Sequence, residues 1–393
     1  MKLAAVLALA ACGTAPPPPP QRPAEDAPAL AALRAADFTH ANQLAQAQLA
    51  IAPRDAEAAA IHGLATYAEA AEAAASALDV RHAFLIIDNA FTPAGKPALL
   101  ELAAQLEAVD RDLAVVADDP AFSLELCLAC WHYDWNHDGN IDSHDDELFT
   151  VERDAKGERI EPGDPRRTPT FRFDHGDALW ARAMVSFQRA TLELMLAYRW
   201  SDASRGDSRT KQPVVIHLES ADRVKHAREL VLAGLDYSDA SRRAYLAETD
   251  DDREWVPNPR QHSHPIPLEV DDRLYETWTG VVADVRDLMA GKRGLGLREV
   301  AGLISPKLTA LAPDAFIDVG KMFSDPTDIT LAVDKEGDTE ASMQQWLRGV
   351  LGHGYADHMQ PSPLVHRLAA IRTELESGSE TLDRKLRYLL WIN

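Results

Sequence analysis

Along the first part of the body, large apolar residues recur at helical rather than strand spacing. Leu44, Leu49 and Ile51 mark one segment, and Leu99, Leu102, Leu106 and Val109 another, in an otherwise alanine-rich stretch from Leu30 to about Pro120. Alanine is the best helix former and lets neighbouring helices approach closely, so this pattern predicts helical hairpins. Residues 149–160 instead alternate around a turn from Asp154 to Gly157, which predicts a short β-hairpin. Pro162-Gly163-Asp164-Pro165 reads as a loop and a boundary. Asp174-His-Gly-Asp177 can cap a long helix that runs to about Trp200. Leu179, Ala183, Phe187, Leu194 and Tyr198 lie along its apolar face. Val214 to Leu218 fits either a strand or the start of a buried helix. Further helices are predicted over 221–235, 274–289, 342–350, 363–376 and 381–392. The proline density from Val256 to Pro267 excludes helix there.

The fold class that emerges is mainly α. It divides into a helical region over 30–120, a distinct segment over 121–165 and a second helical domain over 166–393. Composition agrees: 46% hydrophobic and 26% charged residues describe a globular chain with enough length to bury real cores. The net charge of −22 argues against nucleic acid, whose phosphates need clustered Lys and Arg. It also argues against docking on anionic lipid through protein charge. No apolar run approaches the roughly 20 residues needed to span a bilayer.

The N-terminus carries a different message. Met1-Lys2 precedes the short apolar run Leu3 to Leu9, and small residues follow, as a secretory signal requires. Leu9-Ala10-Ala11-Cys12 then resembles the lipobox of bacterial lipoproteins. The resemblance implies a signal peptide over 1–11 and a Cys12 that becomes the lipidated first residue. Multiple acyl chains give stable anchoring where one gives only reversible binding. Gly13 in place of the Asp that retains lipoproteins at the inner membrane favours the outer membrane. Residues 12–29 follow as a linker. Their proline run adopts polyproline II at about 3.1 Å per residue and acts as a stiff stalk.

Within the helical region, the stretch from Pro53 through Ala59 and Gly63 to Tyr67 resembles the junction between tetratricopeptide repeats. There a proline stops one helix and a small residue sits where paired helices touch. The resemblance covers about one and a half repeats, and Ala59 replaces the usual aromatic. It implies helical hairpins over 30–120, while a plain helical bundle fits the same pattern and no peptide-binding groove is indicated.

The sharpest motif is Asp134-Trp-Asn136-His-Asp138-Gly139-Asn140-Ile141-Asp142-Ser-His-Asp145, which resembles an EF-hand calcium loop. Asp134, Asn136 and Asp138 supply side-chain oxygens at positions 1, 3 and 5. Gly139 makes the sharp turn, Asn140 offers its carbonyl, and Asp142 acts through water. Ile141 is the apolar residue expected to anchor the loop to a core. Position 12 is Asp145 where calcium sensors have Glu, a departure shared with dockerin-type loops. The implied ion is Ca2+. No second loop with this spacing exists, so Ile141 pairs with nothing or with a segment such as Thr168 to Phe173. A lone site argues for a structural ion over a sensor. Leu124, Leu126, Leu128, Leu148 and Phe149 can supply packing around it.

Cys127-Leu-Ala-Cys130 precedes the loop. With Cys12 lipidated and the compartment oxidising, a Cys127–Cys130 disulfide is the first reading and two buried thiols the second. A zinc site from Cys127, Cys130, His132 and His144 has suitable donors but lacks a second Cys pair. No GxSxG, HExxH, phosphate-loop or dinucleotide signature appears. Two functions follow from the sequence. The first is an outer-membrane lipoprotein with a structural calcium and a helical body for a protein partner. The second is a periplasmic hydrolase built from distant histidines, among them His217, His262, His264, His353 and His358.

Overall fold

The computed structural model describes residues 27–78, 95–134, 139–142, 145, 149–154, 158–205, 213–265, 270–331 and 340–376. The chain is mainly α, with twelve α-helices among the described residues. Four come from the alanine-rich region: α1 (Pro28–Arg34), α2 (Phe38–Ile51), α3 (Ala56–Leu78) and α4 (Gly95–Ala117). Each start has a local cause. The Asp37 side chain accepts the His40 amide at 3.1 Å, and Asp55 accepts the Ala58 amide at 3.0 Å, capping α2 and α3. Pro53 lies in the turn between them. The faces that meet are built from Phe38, Ala41, Ala45, Ala59 and Ala65, all buried. Of the expected face of α2, Leu44 and Leu49 pack against the core, whereas Ile51 at the end of the helix is 87% exposed, and the closest helix contact is carried by alanines. Gly63 faces α4, where an added Cβ would lie 3.3 Å from the Asp112 Cβ. The neighbouring His62 Nδ1 meets Asp112 Oδ2 at 2.6 Å.

Beyond α4, β1 (Ser123–Leu126) pairs antiparallel with β2 (Phe171–Asp174), setting Leu124 opposite Phe173 and Leu126 opposite Phe171. Residues 171–173, within the partner expected for Ile141, are thereby taken by β1, and Ile141 is 42% exposed instead of anchored. In the predicted hairpin, the Ile160 amide donates to Glu152 O at 2.9 Å and the Asp154 amide to Glu158 O at 3.0 Å. β2 runs directly into α5 (His175–Ala197). Its capping box is complete: Asp174 accepts the Gly176 and Asp177 amides, and Asp177 Oδ2 accepts the Asp174 amide at 2.9 Å. The predicted single apolar face of α5 is too narrow. Trp180, Val185, Leu192 and Leu196 are buried as well, because α5 packs against both α4 and α6 (Ala221–Ala247). Asp110 of α4 holds Arg182 and Arg189 of α5, each at 3.1 Å. The α6 helix also outruns its expected end at residue 235 by twelve residues, since its far half completes the long pairing with α5.

One cluster of buried residues runs from Ala29 through Leu124, Phe171 and Tyr245 to Tyr275. The sequence borders at 120 and 165 cut through this core. The β1–β2 pairing and the α4–α5 contact both join residues across those borders, so the packing unit is larger than the segments read from composition.

Apart from three longer helices, the remaining elements are short. In order they are β3 (Val214–Ile216), α7 (Asp272–Met289), β4 (Leu295–Gly296), α8 (Leu297–Ile304), α9 (Pro306–Leu311), β5 (Phe316–Ile317), α10 (Val319–Ser324), β6 (Ile329–Leu331), α11 (Glu340–Leu351), β7 (Tyr355–Ala356) and α12 (Leu364–Glu376). The 214–218 run is thus a strand at its start, paired antiparallel with β6, and β4, β5 and β7 form a second small sheet. Arg367 of α12 donates to Asp284 of α7 at 2.7 Å. The helix expected over 381–392 lies outside the described residues. No helix among them is long and apolar enough to cross a membrane.

Candidate functional site

The Asp134–Asp145 loop begins from a firm anchor. Trp131 and Tyr133 both stand edge-on to Phe38, at centroid distances of 5.3 and 4.9 Å. The aromatic residues before the loop therefore do the anchoring expected of Ile141. Gly139 sits at φ +88°, a left-handed conformation that glycine alone adopts at little cost. Its amide donates to Asp134 Oδ2 at 2.8 Å, folding the turn back over the first acidic residue. At the other end the Asp142 amide donates to Asp145 Oδ2 at 3.0 Å, and the Asp145 amide to Asp142 O at 3.2 Å. This is half of a capping box, and it holds Asp145 at 2% exposure while Asn140 and Asp142 face solvent. Asn136 and Asp138 lie outside the described residues, as do Cys12, His144 and Leu148. Leu124, Leu126 and Leu128 are buried and Phe149 is half-buried, which supplies the expected packing.

Cys127 and Cys130 are joined by a disulfide with a Cα–Cα distance of 5.2 Å. The bond removes the two thiolates that the zinc alternative needs. The histidines offered for a hydrolase stand apart. His217 Nδ1 meets Asp202 at 2.8 Å, while His353 Nδ1 meets Asp325 at 2.9 Å. The His262 amide donates to Asp251 at 2.8 Å, and His358 is exposed. Among the described residues, the group of three or more metal-ligating side chains within reach of one ion contains no histidine: it is Asp174, Glu248 and Glu254.

That group is the feature the sequence reading missed. Their carboxylate oxygens lie within 4.8 Å of one another, at the place where the start of α5 meets the end of α6. Each arrives by a different route. Asp174 is the N-cap of α5. Glu248 is the C-cap of α6. Glu254 is brought in by the Arg172 amide, which donates to Arg253 O at 3.0 Å and lays residues 253–255 beside β2. Gly176 makes the approach feasible: an added Cβ would lie 2.6 Å from Tyr245 Cε1 and 3.1 Å from Glu248 Oε1. Asp177, fully buried next to the three, accepts from Tyr245 Oη at 2.9 Å.

The side-chain donors to these carboxylates are neutral. Gln261 Nε2 donates to Glu248 at 3.1 Å, and its Oε1 accepts the Asn258 amide at 2.6 Å. Asn258, at 0% exposure, donates to Tyr245 O at 2.7 Å and so closes the end of α6. The proline-rich segment that could not be helix is thus a cap over this junction. Nearby guanidinium groups are engaged elsewhere, Arg172 with Asp250 and Arg253 with Glu125 and Asp252. Among the described residues no ion pair reaches Asp174, Asp177, Glu248 or Glu254. Burial, reinforced by the Asp174 charge, pushes Glu248 up to about 9. Burial likewise pushes Glu254 up to about 7 and Asp177 well above the usual carboxylate range.

The available sequence signals were partial. Asp174 and Asp177 were legible as caps, and the acidic run from Glu248 to Glu254 before Trp255 marks a place where charge enters a core. Nothing in the spacing links residue 174 to residue 254. No family model matches the chain, and no characterised protein or solved structure is significantly similar to it.

Proposed function

We propose that the chain is an envelope lipoprotein, anchored in the outer membrane through acylated Cys12, that holds a structural calcium ion in the Asp134–Asp145 loop. The helical hairpins of its body, including the tetratricopeptide-like α2–α3 pair, serve contacts with a protein partner. The observation that carries the calcium reading is the loop's closure. Gly139 takes the left-handed turn that position 6 of such a loop demands, and its amide is satisfied by Asp134 at position 1. Asp145 at position 12 is drawn in by the Asp142 amide at position 9. Hydrogen bonds of this kind bring distant positions of the loop back on themselves.

In this reading Asp134, Asn136, Asp138, Asn140 and Asp145 supply oxygens, and Asp142 holds a water. Because the Asp145 side chain is shorter than Glu, affinity falls near the extracellular range of about 10⁻⁴ M. Calcium should raise thermal stability, by about 2.7 kcal/mol at a hundredfold excess over Kd. The test is melting in millimolar calcium together with terbium emission sensitised by Trp131 and Trp135. The double variant D134A/D138A should lose both signals. A wild type that shows neither leaves the loop as an acidic turn. For the anchor, C12S should move the protein from the membrane to the soluble fraction; unchanged fractionation refutes it.

A further inference from the structure

We propose that the cleft between α3 and α5 is a binding site for an apolar molecule carrying one ammonium head. A cavity of about 550 Å³ lies there, within the range of small-molecule sites. Helix α4 packs against both α3 and α5, and its Leu113 and Val116 line the space between them. Alanine leaves the room: Ala60, Ala68 and Ala71 of α3 face Ala178 and Ala181 of α5 across the cleft. Leu64 and Tyr67 also line it yet are 37% and 38% exposed, so the cavity has an apolar mouth. Gln188 of α5 donates to Tyr67 Oη at 2.9 Å and ties the two helices there.

The polar chemistry of the lining sets the class of ligand. Asp174 and Asp177 are its carboxylates, and no Lys, Arg or His stands among the described lining residues. Asp174 supplies the negative charge at that end, and a fatty-acid head would be repelled. Beside the carboxylates, the cavity is walled by Phe173 and Trp255, whose rings are 5.3 Å apart. Ring faces next to carboxylates suit a weakly hydrated alkylammonium, which gains cation–π attraction and can be desolvated at lower cost than a metal ion.

The proposal is tested by calorimetric titration of the full chain with decyltrimethylammonium below its micellar concentration, beside decanol and decanoate. Saturable binding of the ammonium is expected, at least tenfold tighter than decanol, with decanoate weakest. A71F, which places a ring in the space that Ala71 borders, should abolish binding of the ammonium and of decanol. D174N retains a side chain that caps helices well. It should weaken the ammonium about tenfold while leaving decanol binding unchanged, which also shows that the cavity has folded. Equal affinity for the three probes overturns the charge assignment. Absence of saturable binding, or binding that survives A71F, overturns the site.

Discussion

Two groups of carboxylates in this protein face the same electrostatic problem and solve it in opposite ways. In the Asp134–Asp145 loop the acidic residues fall within twelve positions, and backbone amides of Gly139 and Asp142 organise them. Asn140, Ile141 and Asp142 face water, which screens charge and leaves an entry path for a hydrated ion. At the α5–α6 junction, Asp174, Asp177, Glu248 and Glu254 come from positions up to eighty residues apart and meet where Tyr245 and Asn258 are fully buried. Asp174 and Glu248 are half-buried, Asp177 and Glu254 are buried, and neutral donors take the place of water at Glu248 and Asp177. On the proposed reading the first arrangement takes up a metal ion; in the second, burial raises Asp177, Glu248 and Glu254 so that they are held with protons. Crowded acids are therefore no single signature. What surrounds them decides whether they suit a metal ion.

The sharpest way to break this comparison is to substitute the glycine in each region. At Gly176 a methyl group must displace the Tyr245 ring at 2.6 Å inside the shared core. Overpacking of this kind costs about 3 kcal/mol. At Gly139 nothing lies within 4 Å, and the penalty is the left-handed φ of +88° alone, about 1 kcal/mol. Urea unfolding midpoints of Gly176→Ala and Gly139→Ala without calcium should therefore differ clearly. If Gly139→Ala costs as much, the loop is part of the cooperative core and the contrast fails.

Removing one donor sharpens the same contrast. Tyr245→Phe deletes the hydroxyl that Asp177 Oδ1 accepts, leaving a buried oxygen short of a partner at a cost of about 2 kcal/mol. Asp134→Asn in the loop should change calcium-free stability by no more than about 0.5 kcal/mol, as solvent-accessible substitutions do. A near-neutral Tyr245→Phe would mean that water reaches Asp177 and the junction is not sealed.

How much of this was legible in the sequence follows from the same distinction. The turn at Gly139, the capping box at Asp174 and Asp177, and most helices depend on residues within a few positions of each other, and spacing encoded them. On α2 the leucines were legible but the fully buried Ala41 and Ala45 were not, because alanines carry little hydrophobic signal although close packing depends on them. Ile141 was misassigned because what decided its place was the β1–β2 pairing, set by residues elsewhere in the chain. The junction was invisible for a stronger reason. It exists because α5 and α6 pack over their length, bringing the start of one to the end of the other. That is a tertiary event with no local period.

A pH series separates the two regions by sign. Glu254 and Glu248 have native values of about 7 and about 9, raised chiefly by burial from an ordinary 4.5. Between those limits the native chain binds protons that the unfolded chain releases, so stability must fall as pH rises. Their contribution is complete below about 4.5 and is lost as pH passes through 7 and then 9. Melting temperature should decline from pH 6 to pH 9 in the wild type, and E248Q with E254Q should flatten the decline. D134N should leave the slope as it is. A slope unchanged in E248Q/E254Q assigns the protons to other groups, buried Asp177 first among them.

The smallest effect is expected on the loop side, from the disulfide that precedes it. The bond joins residues three positions apart, so it removes little freedom from the unfolded chain, and C127S/C130S should cost about 1 kcal/mol. Its local neighbours still hold the loop's entrance: Leu128 is buried, Trp131 and Tyr133 remain stacked edge-on against Phe38, and Tyr133 Oη donates to Glu72 at 2.9 Å. Those contacts do not pass through sulfur. The calcium-dependent rise in melting temperature should therefore persist in the double serine variant with little change in the calcium concentration that produces half of it. A large loss of apparent affinity would show that the loop is positioned by the disulfide and not by the aromatic anchor. It would also place the loop's order outside the core that holds the α5–α6 junction. Alkylation of the unreduced wild type provides the matching control: no cysteine among 127 and 130 should be modified, and two modified thiols would remove the premise.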